Sequence, residues 1–373
     1  MIPLREAVGA IALILSVSAA RASGPGWIDL LTGDPVSDAG LLSELRNARI
    51  LYLGEAHTVP SHHRVEERLL RSLASETPPL TLFLEALESR DAPALSRFAA
   101  GELSFEELAR TIDWPRRWSN FRDYRGLCLL ARERHVRILG MDGPSLLFHR
   151  IARQGWASVS PDERKQMSLT GVRFDPLYQR LLQLFLPIHP GKGRSWQVRA
   201  AEAQEVRDDW MAEHIVRSLR KTGVNQARAL VICGAGHLRF GLGLPEHVAS
   251  RLPLPRRILL LAAPAERRTA SGADSAGKTT GAPSIPHASF EFVARPLADY
   301  LWLPPDSFPV KDEPDHAGEC PLGRRQNYSQ RMPLREISPE PSRQKPRIYG
   351  RLTPDASSAT RIRASRLSIG PAS

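Results

Sequence analysis

The stretch ILYLGEAHTVPSHH, from Ile50 to His63, decides how the rest of the chain is interpreted. Its apolar beginning, Ile50–Leu53, is typical of a buried strand, and this strand stops at Gly54. Soon after the glycine come a carboxylate and three imidazoles: Glu55, His57, His62 and His63. In open α/β sheets, ligands bind in the crevice beyond the carboxyl ends of the strands. The stretch therefore predicts a site at the edge of a sheet.

Apolar runs recur along the chain and predict further strands of the same sheet. They are Leu80–Leu84, Val136–Leu139, Ala229–Cys233, Arg257–Ala262 and Phe290–Val293. Helical patterns separate the runs, beginning with Pro60–Leu73, where one of His62 and His63 is expected to face solvent. Strands joined through a helix are parallel, with a right-handed crossover. We expect an α/β fold with a central, mainly parallel sheet flanked by helices.

The first 22 residues are typical of a secretory signal peptide. Arg5 supplies the positive charge, Val8–Val17 the apolar core, and Ala20–Ala22 a cleavage site of the A-x-A type. The apolar run is shorter than the ~20 residues that span a bilayer. We therefore expect an exported protein, periplasmic or secreted, that is soluble after removal of this segment.

The remainder of the 373 residues divides into a folded region and a tail. Residues 23–305 are expected to form the α/β domain, with helical insertions at about 89–131 and 145–220 and a low-complexity insertion at 265–288. Residues 306–373 are rich in Pro and Arg and poor in aliphatic side chains, which predicts a disordered basic tail. Much of the net charge of +11 lies in this tail. Because no recognition helix, aromatic ladder or zinc finger accompanies the charge, we expect no nucleic-acid binding.

A second glycine-rich turn, Gly234–His237, also follows a predicted strand. It lacks the third glycine of a dinucleotide-binding fingerprint, so its glycines are better explained by a tight turn. The turn would present His237 at the same edge of the sheet as Glu55 and His57, and Asp142 should point into the same crevice. Such a set could bind a metal, perform acid–base chemistry or line a pocket for an anionic cofactor.

A series of short motifs extends from about Ile50 to Trp302: Gly54–His57, His62-His63, Trp114-Pro115 with Trp118, Ala203-Gln204 with Asp208 or Asp209, and Gly234–Pro245. Taken in order, these motifs resemble those of the ChaN-type haem-binding uptake proteins. The wider superfamily includes erythromycin esterase-like hydrolases and Tiki-type metalloproteases. The chain departs from the family pattern in lacking a lipobox cysteine and in carrying the insertion at 265–288 and the tail.

The resemblance implies an α/β domain with a smaller helical subdomain and haem bound at the carboxyl edge of the sheet. Haem iron accepts an axial imidazole or phenolate. The residues that the resemblance places at the cofactor are Glu55, His57, His62, His63, His189 and His237, with Tyr124 and Tyr178 as candidate phenolates.

The leading hypothesis is an exported haem-binding protein for haem or iron uptake, without turnover chemistry. Its expected partners are haem, a second copy of the chain in a homodimer, and an outer-membrane haem or iron uptake receptor. The alternative is a metal-dependent hydrolase, esterase-like or protease-like. In that alternative Glu55 is the general base, and His57 and His237 hold a divalent metal.

Overall fold

A single sheet of eight strands forms the centre of the protein. The computed structural model describes residues 26–169, 171–186, 193–263 and 292–304. Within them the sheet has the spatial order β2-β1-β8-β7-β3-β6-β4-β5. The strands are β1 (Gly26–Asp29), β2 (Pro35–Val36), β3 (Ile50–Glu55), β4 (Leu80–Glu88), β5 (Arg137–Asp142), β6 (Arg228–Gly234), β7 (Arg256–Leu261) and β8 (Tyr300–Leu303).

Strands β3 to β8 are parallel, and an antiparallel pair completes one edge. Strand β3 lies between β6 and β7, with Leu51 opposite Leu230 on one side and Arg257 on the other. Strand β1 runs antiparallel to both β8 and β2. The expected α/β fold with a mainly parallel central sheet is thereby confirmed.

Helices cover both faces of the sheet. In the described part of the chain they are α1 (Asp38–Leu45), α2 (Pro60–Leu73), α3 (Ala92–Ala99), α4 (Phe105–Thr111), α5 (Trp114–Arg117), α6 (Arg125–Glu133), α7 (Ser145–Gln154), α8 (Pro161–Gln166), α9 (Pro176–Phe185), α10 (Arg194–Thr222) and α11 (Leu244–Ala249). Short 3-10 turns connect several of them, including Phe121–Tyr124 and Ala235–His237.

The alternation of side chains along β3 divides the core into two layers. Leu51 and Leu53 pack with the helices from α1 to α6, whereas Ile50 and Tyr52 pack with α10 and α11. A smaller apolar cluster joins α7 to α10 through residues such as Ile151 and is the centre of the helical subdomain. Because both faces of the parallel strands are covered, they have near-continuous apolar sequences.

The sequence predicted the parallel strands β3 to β7 to within a few residues and α2 without error, but it did not predict β8. The predicted strand at Phe290–Val293 was wrong in its described part, because Phe292 and Val293 lie outside any strand and the last strand is β8. The edge strands β1 and β2 were missed because they are too short to show an alternating pattern. His62 and His63 are both buried, so the expectation that one faces solvent was also wrong.

Several expectations fall outside the described residues. These are the signal peptide at 1–22, His189, the low-complexity insertion at 265–288 and the tail at 306–373. Among the described helices, none combines the length and the apolar character needed to cross a membrane.

Truncation of Leu70 on α2 tests the packing between this helix and the sheet. Leu70 is fully buried, so Leu70→Ala should lower the free energy of unfolding by about 2–5 kcal/mol through lost burial and a residual cavity. The matched control is Leu31→Ala, since Leu31 is 86% exposed. Urea unfolding followed by circular dichroism gives both values, and equal effects of the two substitutions would contradict the packing described.

Candidate functional site

The carboxyl ends of β3, β6 and β4 lie side by side and bring distant acidic and imidazole groups together. Glu55 ends β3, Glu85 lies in the last half of β4, and β6 between them leads into the turn that carries His237. The backbone N–H of Gly234 donates to Glu85 Oε2 at 2.7 Å, which fixes the turn to the neighbouring strand. The structure thus brings Glu55, His57 and His237 to one edge of the sheet.

His57 is the most exposed imidazole of this group, with 30% of its side chain accessible. Its Nδ1 lies 2.9 Å from Glu55 Oε1, and its Nε2 lies 3.8 Å from Glu85 Oε2, beyond hydrogen-bond distance. Burial lowers the pKa of His57, but the hydrogen bond with Glu55 and the charge of Glu85 outweigh it and raise the pKa above its usual value. The ring stands edge-on to Trp118, with 4.8 Å between centroids.

The absence of a side chain at Gly234 leaves room beside Nε2 of His57. A Cβ atom at this position would lie 2.9 Å from Nε2, closer than real contacts allow. The glycine therefore permits the backbone of the turn to approach the imidazole closely.

On the α2 side, Glu55 belongs to a second, fully buried cluster. The Tyr124 hydroxyl donates to Glu55 Oε1 at 2.5 Å, and His63 Nδ1 lies 3.6 Å from Glu55 Oε2 and 3.1 Å from Glu66 Oε2. His63 Nε2 donates to the carbonyl oxygen of His57 at 2.9 Å. The cluster is held by β3, α2 and the turn before α6.

Two carboxyl groups in this cluster have opposite pKa shifts. Burial raises the pKa of Glu55, but hydrogen bonds from His57 and other partners outweigh it and lower the pKa. Burial and the neighbouring charge of Glu55 raise the pKa of Glu66 well above its usual value. Burial lowers the pKa of His63, but Glu66 and Glu55 raise it to about 9.

On the α10 side, Glu85 and His237 form an ion-paired network. Arg207 Nη1 contacts Glu85 Oε1 at 2.8 Å, and the same guanidinium forms two hydrogen bonds with Asp142. Burial raises the pKa of Glu85, but Arg207 and then His237 hold it well below its usual value. Asp142 therefore contributes to this edge of the sheet by orienting Arg207.

His237 is buried between two carboxylates. Its Nδ1 lies 2.5 Å from Asp208 Oδ1 and its Nε2 lies 3.3 Å from Glu85 Oε1. Burial lowers the pKa of His237, but Glu85 and Asp208 raise it to about 10. Both ring nitrogens are thus paired with carboxylates, and the imidazole is charged at neutral pH.

Three other candidates are hydrogen-bonded within the fold. His62 Nδ1 accepts from the N–H of Ala56 at 2.9 Å and its Nε2 donates to the carbonyl of Ala262 at 3.1 Å. Tyr178 donates to Asp208 Oδ2 at 2.6 Å, as Tyr124 does to Glu55. Burial and the adjacent carboxylate raise the pKa of both phenols, so each remains a neutral donor at physiological pH.

A cavity of about 290 Å³ lies against Trp118, between the end of β4 and the helical subdomain. Arg117 and Arg207 line it, together with Phe148 and Gln204, whose carboxamide lies 2.9 Å from His237 Nδ1. The cavity therefore combines guanidinium groups with an aromatic wall directly beside the His57 environment.

Sequence reasoning missed the roles of Glu85, Glu66 and Arg207. Glu85 follows the predicted strand Leu80–Leu84, as Glu55 follows its own strand, so the same rule would have found it. Glu66 lies one helical turn after His63, on the apolar face of α2, and a charge on such a face is a signal of a buried site. Arg207 gave no signal, because α10 carries many charges along its 29 residues.

Sequence comparison places this geometry in a known family. Residues 41–248, more than half of the chain, match the profile of the haem-binding uptake family, ChaN, of the Tiki superfamily. The chain belongs to this family. The predicted family resemblance is thereby confirmed.

Solved structures and a curated sequence give more distant likenesses. ChaN of Campylobacter jejuni, whose structure shows cofacial haem binding, has a TM-score of 0.51 at 18% identity and covers 75% of this chain and 97% of its own. This likeness shows the fold. The chloroplastic protein RETICULATA-RELATED 5 of Arabidopsis thaliana is 25% identical over 281 residues, which are 69% of this chain and 34% of the relative. The chain thus spans about a third of that relative's length.

The pairing of His237 with Glu85 and Asp208 predicts a pH-dependent stability. The folded pKa of about 10 lies above the usual 6.5, so the stabilisation is complete below about pH 6.5 and is lost as the pH rises towards 10. His237→Gln should lower the free energy of unfolding by about 3–5 kcal/mol at pH 6.5, because two buried carboxylates lose their cation.

The measurement is urea unfolding of both proteins between pH 6 and pH 10. The difference in unfolding free energy between wild type and variant should shrink as the pH rises. A difference that stays constant across this range would contradict the charged state assigned to His237.

Proposed function

We propose that the protein binds haem at the carboxyl edge of its sheet, with Nε2 of His57 as the iron ligand. The observation that supports this most directly is the environment of His57. Its Nδ1 is hydrogen-bonded to Glu55, while its Nε2 has no hydrogen-bond partner among the described residues. Histidines that ligate metals commonly donate their other ring N–H to a carboxylate, which fixes the tautomer and raises the basicity of the ligand.

The donor set around His57 fits haem. Bound haem would supply an iron that accepts an axial imidazole. Trp118 provides an aromatic surface next to the imidazole and also lines the cavity, which continues to Phe148. His149 is exposed at the same cavity, and its imidazole is suited to donate a hydrogen bond to a propionate.

The size of the cavity favours a haem site that is shared between two copies of the chain. At about 290 Å³ it lies at the lower end of the ~300–1,000 Å³ typical of small-molecule pockets and is too small to enclose a porphyrin. Part of the macrocycle would therefore remain outside it, near Leu146, which is 81% exposed between the cavity residues Ser145 and His149. A second copy of the chain would cover both apolar surfaces, in line with the proposed homodimer.

The other residues predicted from the sequence to contact haem have different roles. Tyr124 and Tyr178 hold carboxylates, and neither phenol can reach an iron without breaking its hydrogen bond. Glu55, His62, His63 and His237 stabilise the edge of the sheet that presents His57. His189 lies outside the described residues and stays a sequence-based candidate.

The cellular role follows from haem binding together with the N-terminal sequence. We propose an exported protein that carries haem for haem or iron uptake, without turnover chemistry, and delivers it to or receives it from an outer-membrane receptor. The alternative hydrolase is less well supported, because both ring nitrogens of His237, one of its two proposed metal ligands, are paired with carboxylates.

Titration with haem tests the assignment of His57. The wild type should give a saturable Soret shift, and His57→Ala should weaken haem binding by at least about tenfold because the axial nitrogen is lost. Binding should also strengthen as the pH rises, since the raised pKa of His57 keeps a proton on Nε2 at lower pH.

The matched control is His135→Asn. His135 is exposed before β5, at the opposite edge of the sheet, and has a φ of 55° that Asn tolerates. This variant should bind haem as the wild type does. A wild type without a Soret shift would refute haem binding, and equal binding by His57→Ala would refute the ligand.

Removal of the two buried hydroxyls distinguishes imidazole from phenolate ligation. Tyr124→Phe and Tyr178→Phe keep the aromatic packing and should retain the Soret position of the wild type. Both should lose stability, by about 1–3 kcal/mol, because a buried carboxylate loses a donor. Disappearance of the haem spectrum in either folded variant would assign that phenol as the ligand instead.

A further inference from the structure

The cluster of Glu55, His63 and Glu66 differs from the other buried carboxylates of the protein in its charge balance. Glu85 is paired with Arg207, and Glu88 with Arg117. In the described part of the chain, no Lys or Arg forms an ion pair with Glu55 or Glu66, whose side chains are 1% and 0% exposed. Two carboxyl groups are therefore buried together with one imidazole between them.

Two carboxylate oxygens in this cluster lack a donor of their own. Glu55 Oε2 and Glu66 Oε1 are both buried, and the described residues offer them no donor apart from the proton that the two carboxyl groups can share. A buried acceptor without a donor is destabilising, so this pair of carboxyl groups favours either a shared proton or a bound cation.

The geometry of this cluster is that of a cation site. One ligand atom from each of Glu55, His63 and Glu66 lies within 4.8 Å of the other two. His63 Nδ1 lies 3.1 Å from Glu66 Oε2 and 3.6 Å from Glu55 Oε2. For bonds of about 2.0–2.2 Å, neighbouring ligands of a tetrahedral ion are about 3.3–3.6 Å apart, so only small shifts are needed.

The surrounding hydrogen bonds already orient the three ligands. His63 Nε2 donates to the carbonyl of His57, which leaves Nδ1 as the nitrogen that faces the two carboxylates. The ion would displace the proton that Nδ1 carries in the metal-free protein, where the pKa of His63 is raised to about 9. Glu55 Oε1 accepts from Tyr124, which turns Oε2 towards His63. Such outer contacts are typical of built metal sites. Asp123, 41% exposed and 4.0 Å from His63 Nε2, gives the cluster a polar path to solvent.

We infer that Glu55, His63 and Glu66 form a binding site for one divalent transition-metal ion, separate from the haem site at His57. One imidazole and two carboxylates suit Zn²⁺, Mn²⁺ or Fe²⁺. The two sites share Glu55, which uses Oε1 towards His57 and Oε2 towards the ion. The ion would link β3 to α2 and so hold the strand end that carries the haem ligand.

Metal analysis of the untagged full-length chain tests this site. The protein is stripped with a chelator, dialysed, reloaded with Zn²⁺ or Mn²⁺ and measured by plasma mass spectrometry. The wild type should retain close to one ion per chain, and Glu66→Gln should retain less than a tenth of that. The matched control is Glu88→Gln, a buried Glu outside the cluster, which should retain the ion.

Two further measurements distinguish the metal site from the haem site. His57→Ala should keep the ion and lose haem, whereas Glu66→Gln should lose the ion and keep a Soret shift. If haem binding fails in the wild type but the ion is retained, only the proposed function is refuted. If Glu66→Gln and His63→Gln bind the ion as the wild type does, the metal site is refuted.

Cobalt gives a readout that does not depend on any variant folding. Co²⁺ added to the stripped wild type should produce the visible absorption of a four- or five-coordinate ion with nitrogen and oxygen ligands, and equimolar Zn²⁺ should remove it. Absence of this band, or of any retained Zn²⁺ and Mn²⁺, would mean that the cluster holds protons alone and would overturn the inference.

Discussion

The structure depends on the charge balance of carboxylates buried at the ends of parallel strands. A buried carboxylate must be paired or hydrogen-bonded, because its desolvation costs several kcal/mol. Glu55 and Glu85 lie in neighbouring regions of the sheet edge, on either side of β6. The helices above this edge are arranged around that requirement: α10 brings Arg207 to Glu85, and α2 brings His63 to Glu55.

The negative charges of Glu55 and Glu85 are balanced by different kinds of partner. This difference determines which half of the sheet edge is suited to binding a ligand. Around Glu85 one cation is permanent, since the guanidinium of Arg207 contacts it, and His237 contacts it as well. Around Glu55 the partners are imidazoles and a phenol, which can exchange a proton for a metal. One half of the edge is therefore structural and the other is suited to ligands, with Gly234 providing the space between them.

The sequence predicted the fold and the central half of the site for the same physical reason. A buried parallel strand is a short apolar run, and its carboxyl end faces the crevice, so Glu55, His57 and His237 could be located without a structure. The burial of His62 and His63 could not be predicted, because the helical pattern alone does not show that their rings pack against Trp302 and Tyr124. The ion pair between Arg207 and Glu85 depends on the docking of α10, a contact between residues far apart in the chain.

The position of β3 in the sheet determines when the site can form during synthesis of the chain. This strand is made early, yet both of its neighbours, β6 and β7, come from the last part of the folded region. Contacts between such distant residues form slowly, because the loop between them must close first. A nascent chain therefore carries Glu55 and His57 before the rest of this sheet edge has formed around them. Ligand capture must wait until synthesis has passed β7.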